Sequence, residues 1–297
     1  MPLFHRSLLA LLLLLAVPGF ARQEEMNAPD DVPGLVKTLK EQRDAADVDV
    51  VKKLANKKTR ESMEALVDVY GELESVYMRR AVCQGLALYD DVPGAEQPAL
   101  ELLMNVATKA PERLLRESAI ELLGGCDNYG RTFLRLIVES PADDEVRARA
   151  MQYHVAHADA EDMGWYKSLF ELPTEKARKE PRKPDAEAAK VPHPLAAVRL
   201  LAFEGLKAGM AAEDVLKATR DPQEKVRASA LLELDARGDK EVLTAAQNLY
   251  SKGGESDFTR LIAAQILLQR QGPKIADELI KEATKSNVPR AFSSTGR

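Results

Sequence analysis

The sequence predicts an all-α protein with the architecture of an α-solenoid, a superhelix of about seven helical pairs. Three observations lead to this prediction. One short motif occurs six times, at intervals of 28 to 38 residues with a single interval of 52. A second amphipathic stretch lies between successive copies of the motif. No part of the chain shows the alternation of apolar and polar residues that is typical of strands.

Each copy of the motif is centred on an alanine. A mostly apolar residue lies four positions before it, usually an arginine three before, an apolar residue one after and usually a leucine four after. The six alanines are Ala81, Ala119, Ala150, Ala202, Ala230 and Ala263. Positions −4, 0, +1 and +4 fall on one side of a helix with 3.6 residues per turn. One such helix cannot bury its apolar stripe alone, so we expect the copies to stack on one another.

The stretches between the copies have apolar stripes of their own and predict the partner helix of each pair. Examples are the sets Leu100, Leu103, Val106 and Ala107; Phe133, Leu136 and Ile137; and Leu243, Ala246, Leu249 and Tyr250. Helix starts are marked by capping chemistry. Asp221 before Pro222, for instance, predicts an N-cap followed by proline at the first helical position.

A two-helix unit whose second helix opens with V-R-x-x-A-x-x-x-L, as Val226 to Leu234 does, resembles the HEAT repeat family. It is most similar to the short bacterial form that also occurs in phycobilin lyases. The resemblance covers roughly residues 32–285. It implies that the second helices line a concave surface that binds another macromolecule. Repeats of this kind identify a fold and say little about function.

The N-terminal residues predict export. Residues 1–21 carry His5 and Arg6, then an apolar run from Leu8 to Val17, then Gly19 and Ala21 at the −3 and −1 positions of a cleavage site. This is the pattern of a secretory signal peptide. The apolar run is about half the length of a membrane-spanning helix, so we expect no stable membrane insertion. The predicted destination is the periplasm or the extracellular medium.

Three further segments fall outside the repeat pattern. Residues 22–31 and 286–297 are polar and are expected to be disordered ends. The interval of 52 residues between Ala150 and Ala202 contains residues 173–192, which are rich in proline and charge and show no apolar periodicity. We interpret them as a flexible loop inserted between the two helices of one repeat, with a docking segment for an acidic partner as the alternative.

Composition bears on the partner. The chain has 42 basic and 47 acidic residues, a net charge of −5, and only 5% aromatic residues. A nucleic-acid-binding protein is more often basic, so we expect a protein partner and no nucleic acid. There is no phosphate-binding glycine loop and no nucleophile motif. We therefore predict a non-enzymatic scaffold for protein–protein interaction, without catalytic residues, cofactor or metal.

The position two residues after the alanine, which is mostly polar, is predicted to belong to the partner-facing strip. Its members are Cys83, Glu121, Gln152, Glu204 and Gln265.

The alternative hypothesis is an enzyme or a ligand or metal carrier with a site in the concave groove near His154. His154 and His157 are spaced to share a metal ion on one helix, and Asp159, Glu161 or Asp162 could add a ligand. However, His154 occupies a position where most copies have leucine, which favours a hydrogen-bonded core residue.

Two side-chain predictions follow from the repeat register. The arginines at −3 recur with acidic residues before them, such as Asp144, Asp221 and Asp257, and this favours ion pairs between repeats over an anion-binding row.

Cys126 falls on the core-facing stripe and Cys83 on the opposite side of its helix. We therefore expect no disulfide between them, with Cys83 accessible and Cys126 buried.

Overall fold

The computed structural model describes residues 31–127, 129–171, 196–252 and 255–285, and these residues form helices and turns without any strand. The all-α prediction is confirmed. The fifteen α-helices of the described residues are α1 (Val32–Gln42), α2 (Val48–Asn56), α3 (Arg60–Tyr70), α4 (Val76–Leu86), α5 (Glu96–Lys109), α6 (Arg113–Gly124), α7 (Gly130–Glu139), α8 (Asp144–Ala156), α9 (Met163–Glu171), α10 (Ala196–Lys207), α11 (Ala212–Ala218), α12 (Glu224–Ala236), α13 (Val242–Ser251), α14 (Asp257–Gln271) and α15 (Ala276–Lys285).

The helices pack in seven consecutive pairs, from α1 with α2 to α13 with α14, and α15 follows the last pair. The even-numbered helices are the second members of the pairs. The six copies of the sequence motif lie on α4, α6, α8, α10, α12 and α14. The predicted α-solenoid and its number of helical pairs are thus confirmed.

The pairs stack so that each even-numbered helix contacts the next, continuously from α2 to α14. The odd-numbered helices contact one another from α1 to α7 and lose close contact beyond that point. A row that stays in contact while the other row spreads lies on the inner side of a bend, so the even-numbered helices form the concave side.

The interior consists of three apolar clusters that follow one another along the stack. The first joins α1 to α5, the second extends from α4 to α10, and the third from α10 to α15. Each fully buried leucine or valine contributes roughly 1.5–3 kcal/mol. No helix can bury its stripe without the helices before and after it, which is why the motif has to repeat.

Several helices begin with the expected capping chemistry. The side chains of Asp47, Ser75 and Ser256 accept hydrogen bonds from the first turns of α2, α4 and α14, and Thr59 forms a capping box with Ser62 at the start of α3. The N-cap prediction for Asp221 is wrong. Helix α12 begins only at Glu224, and its N-cap residue is Gln223. The Asp221 carboxylate accepts a hydrogen bond from the backbone N–H of Gln223 at 2.8 Å and also binds Arg199 of the preceding repeat.

The proposed signal peptide (1–21), residues 22–30, the inserted segment 173–192 and the tail 286–297 lie outside the described residues. Because α9 ends at Glu171 and α10 begins at Ala196, the insertion lies between the two helices of the fifth pair. Across the part of the chain that the structure describes, no helix has both the length and the apolar character needed to cross a bilayer.

Candidate functional site

The concave surface is built by the outward sides of the even-numbered helices. The three members of the predicted strip that are exposed there are Glu121 on α6, Gln152 on α8 and Gln265 on α14. Glu204 on α10 is half-buried, because its carboxylate accepts a hydrogen bond from Ser229 on α12 and pairs with Lys207 at 2.6 Å. Position +2 therefore lies at the edge where one even-numbered helix meets the next.

The prediction that Cys83 belongs to the partner-facing strip is wrong. Its side chain is only 1% exposed and belongs to the apolar cluster that contains Leu100 and Leu103 of α5. A glutamate or glutamine at +2 is long enough to extend past the neighbouring repeat into solvent, whereas the short cysteine side chain is covered by it. Cys83 is therefore not part of an accessible strip.

Both cysteines are buried and free. The prediction that they form no disulfide is confirmed, and so is the burial of Cys126, whereas the accessibility of Cys83 is wrong. Burial raises the pKa of each thiol to about 12. A thiol that stays protonated at neutral pH is a poor nucleophile and a poor metal ligand.

The strip prediction missed exposed apolar side chains on the same surface. Leu114 on α6 and Phe258 on α14 lie five positions before the alanine, and Leu232 on α12 lies two after it. Both positions fall on the side of the helix opposite the core. The sequence alone predicts these residues when position −5 is considered together with position +2. The concave surface therefore combines polar side chains with separate apolar contact points.

The arginines at position −3 are structural. Arg116, Arg147 and Arg227 donate hydrogen bonds to backbone carbonyl groups in the last turn of the preceding odd-numbered helix or in the loop after it, at 2.8 to 3.1 Å. Arg199 donates to the carbonyl of Phe170 and lies over its ring. Each guanidinium thus satisfies backbone acceptors that the end of a helix leaves free.

Two of these arginines also join neighbouring repeats through ion pairs. Arg199 binds both oxygens of Asp221 at 2.7 and 2.6 Å, and these side chains are almost completely buried. Arg227 pairs with the fully buried Glu255. Burial would raise the pKa of Glu255, but the hydrogen bonds and charges around it, mainly from Arg227, outweigh that effect and lower the pKa. The predicted ion pair between repeats is confirmed for Asp221, whereas the partner of Arg227 is Glu255 and not the predicted Asp257.

An open polar depression of about 500 Å³ lies beside this second pair, at the start of α12 and α14. Its lining carries three basic and three acidic side chains, Arg220, Arg227, Lys252, Asp221, Glu224 and Glu255. Because basic and acidic side chains are equal in number, the depression favours neither an anion nor a cation. Its buried members Arg227 and Glu255 already bind each other.

His154 is a buried hydrogen-bonded core residue, as its position in the repeat predicts. It is 1% exposed, and its Nδ1 lies 2.8 Å from the hydroxyl of Tyr166. Its Nε2 lies 3.7 Å from Asp162, and Trp165 packs against its ring. Burial lowers the pKa of His154, and the nearby Asp162 carboxylate only partly opposes this shift.

The structure does not form the metal site of the alternative hypothesis. His157 is the exposed residue that ends α8, with non-helical backbone angles, so it does not share a helical face with His154. Asp159 and Asp162 are bound by Arg131, and Glu161 is exposed. Among the described residues, no group of three or more His, Cys, Asp or Glu side chains is arranged to hold a metal ion.

Comparison with known proteins shows a likeness to a solved helical structure. No family model matches the chain, and no curated protein sequence matches it. A solved structure of the complex of CpcE and CpcF of phycocyanin lyase from Nostoc sp. PCC7120 is similar at a TM-score of 0.33 and 17% sequence identity, over 90% of this chain and 98% of that chain.

This neighbour contradicts the prediction that the protein is not an enzyme, because the complex is described as a lyase. That prediction rested on the absence of known catalytic motifs from a helical repeat. A helical-repeat chain can belong to a lyase, so the repeat architecture is no ground for excluding catalysis, and we withdraw the prediction. The TM-score is too low to assign an activity or a substrate to this chain.

Proposed function

We propose that this chain is an exported protein of the HEAT repeat type that binds a protein partner on the concave surface of its even-numbered helices. The observation that carries the proposal is the unbroken row of even-numbered helices from α2 to α14. Such a row offers one long binding surface that no single repeat could provide. The arginines at position −3 of these helices are occupied in holding the stack together, so recognition falls to the exposed positions.

The exposed positions suit a protein surface. Glu121, Gln152 and Gln265 supply hydrogen-bonding groups, and Leu114 and Leu232 supply apolar contacts near them. Interfaces between proteins combine apolar contact points with a polar surround in this way. The balanced charge of the chain, net −5, provides no electrostatic attraction for the phosphates of a nucleic acid.

Binding is tested by capture of partners from the native envelope fraction with variants of the full chain that introduce a positive charge. Glu121→Arg, Gln152→Arg and Gln265→Arg change exposed residues of the concave surface. Glu101→Arg on α5 and Asn248→Arg on α13 are matched controls, since both residues are exposed on odd-numbered helices. We expect the first set to lose a partner that the controls retain. Equal retention or equal loss in the two sets would contradict the proposed surface.

Export is tested separately by cell fractionation and N-terminal sequencing. We expect the mature protein outside the inner membrane, beginning at Arg22 after cleavage behind Ala21. The variant Leu13→Arg interrupts the apolar run of residues 8–17 and is expected to keep the uncleaved chain inside the cell. An uncleaved wild-type chain in the cytoplasmic fraction would refute the export proposal and leave the binding proposal standing.

A further inference from the structure

Helix α14 exposes the side that every earlier motif helix packs against its neighbour. In α4 to α12, the residues at positions −2, +1 and +5 are buried or half-buried, because the following even-numbered helix packs beside them. In α14, Leu261 at −2 is 47% exposed and Leu268 at +5 is 40% exposed. Among the described residues, no even-numbered helix follows α14. Helix α14 therefore ends the described row with an apolar side exposed.

The exposed residues of α14 have the spacing of a seam between two paired helices. Phe258, Leu261, Gln265 and Leu268 are all exposed and follow one another at steps of three, four and three residues. Such steps place them at the a and d positions of a heptad, through which two helices pack side by side. A polar residue in the seam, here Gln265, restricts the register of such a pair. The spacing thus indicates another helix as the occupant of this side.

The charge of this side favours a copy of the same chain over a charged partner. Within residues 258–271, Arg260 is buried over the ring of Tyr250, and Arg270 pairs with Asp235 of the preceding repeat. The seam therefore offers no charge to attract an oppositely charged protein. Two copies of a chain with net charge −5 repel each other. An uncharged seam is a surface at which they can meet without bringing like charges together.

The seam is also complementary to itself. Residues 258 and 268 are equally far from Ala263, and so are residues 261 and 265. In an antiparallel pair with a two-fold axis at the level of Ala263, Phe258 lies opposite Leu268 of the partner subunit. Leu261 then lies opposite Gln265 of the partner subunit. Each a position thus meets a d position, and every layer of the contact contains a leucine, as a symmetric interface requires.

We propose that the chain forms a symmetric dimer through α14. The antiparallel α14 of the second copy covers the side that a following even-numbered helix covers in the earlier pairs. The dimer goes beyond the proposed binding of a protein partner and does not depend on it. Leu261 and Leu268 lie outside the predicted partner-facing strip, and only Gln265 belongs to both surfaces.

The size of the contact sets its strength. Each copy contributes one side of α14, and Ile280 on α15 is exposed beside the same last pair. Such a contact is smaller than the roughly 800 Å² per partner of a stable interface. We therefore expect a reversible dimer with a dissociation constant in the micromolar range.

Sedimentation equilibrium of the mature chain between about 1 and about 200 µM tests the dimer. The average mass should rise from that of one chain toward twice that value. Leu261→Arg places a charge from each copy in the contact and should weaken dimerisation by at least about 30-fold. Leu136→Arg on α7 is the matched control, since Leu136 is 44% exposed on an odd-numbered helix. It should dimerise like the wild type.

Cysteine pairing tests the antiparallel arrangement independently. Oxidation of an equal mixture of Leu261→Cys and Gln265→Cys chains should join them covalently, with a higher yield than either variant gives alone. Cys83 and Cys126 are buried and should not contribute. A higher yield from Leu261→Cys alone would contradict the antiparallel pair.

Three other results would overturn the dimer. The first is a wild-type chain that stays monomeric across the whole concentration range. The second is a dimer that Leu261→Arg leaves intact, or that Leu136→Arg dissociates equally. The third is a monomer that dimerises only after removal of residues 286–297, or that captures a different protein through Leu261. That segment or that protein would then be the occupant of the exposed side.

Discussion

At the scale of single residues, His154 shows how a polar side chain fits a position that most repeats fill with leucine. Its ring nitrogens face Tyr166 and Asp162, so the imidazole is not left without polar neighbours in the core. Tyr166 reaches it by packing across Gly205, where a Cβ atom would lie 2.7 Å from the ring. The histidine, the tyrosine and the glycine therefore depend on one another sterically and electrostatically.

Protonation of His154 makes the free energy of unfolding depend on pH, and this dependence can be measured. Because burial lowers its pKa in the folded state, the unfolded state binds more protons below the usual histidine pKa of about 6.5. The free energy of unfolding therefore falls as the pH drops from about 6.5 toward the folded-state pKa. His154→Leu removes this contribution, so its Tm should decline less between pH 7 and pH 5 than that of the wild type.

The control for this prediction is His157→Gln, since His157 is exposed beyond the end of α8. It should keep the wild-type decline. Parallel Tm curves for His154→Leu and the wild type would show that His154 does not titrate differently in the two states.

The two cysteines give a second prediction at this scale. Both are buried, and burial raises the pKa of each to about 12. A thiol reagent applied to native protein at neutral pH, without reductant, should modify neither cysteine, and unfolded protein should take up two equivalents. Mass spectrometry of the labelled chain distinguishes the outcomes. Rapid labelling of Cys83 in the native state would contradict its burial and show that this thiol is accessible, as its position in the repeat predicted.

At the scale of helices, the recurring arginine performs several tasks with one side chain. In the fifth pair, Arg199 on α10 donates to the carbonyl of Phe170 in the last turn of α9, lies over the ring of the same residue and reaches Asp221 in the next pair. Lysine carries all of its N–H donors on one nitrogen and has no planar group to stack on the ring, so it could not do all three. The same side chain thus connects two helices of one repeat and joins that repeat to its neighbour.

Removal of one partner from this buried ion pair should therefore be costly. Asp221→Ala leaves the guanidinium of Arg199 buried without its carboxylate, and we expect a loss of about 3–5 kcal/mol in the free energy of unfolding. Chemical denaturation measures it. Glu64→Ala, which breaks the exposed pair with Arg60 on α3, should leave the midpoint nearly unchanged. Equal small effects of the two substitutions would mean that the Arg199–Asp221 pair does not hold the repeats together.

At the scale of the whole molecule, the seven pairs make an elongated body, because each pair packs mainly against the pairs on either side of it. With layers about 8–10 Å apart, the stack is roughly 60 Å long. Solution scattering of the mature chain should give a radius of gyration clearly above the roughly 18 Å of a compact domain of this size. A scattering curve that fits a sphere would refute the stacked arrangement.

Much of this architecture is determined by the sequence itself. The positions −4, 0, +1 and +4 around Ala119 or Ala230 dictate which side of each helix is buried, because that choice depends only on the helical period. The number of pairs, the place of the insertion and the core position of His154 follow from the same register. The expected absence of a disulfide was right, but the register placed Cys83 on an accessible side of its helix, whereas the structure buries it in the same apolar cluster as Cys126.

Only the tertiary structure decided what lies beside each helix. The burial of Cys83, the half-burial of Glu204 and the capture of Asp221 by Arg199 all arise where one repeat meets the next. The exposure of Leu261 and Leu268 on α14 has the same origin, because among the described residues no even-numbered helix follows α14. A periodic pattern specifies the core-facing side of a helix. How far the residues beside that core-facing side are buried depends on the size and distance of side chains from neighbouring repeats. The pattern within one helix holds no information about those side chains.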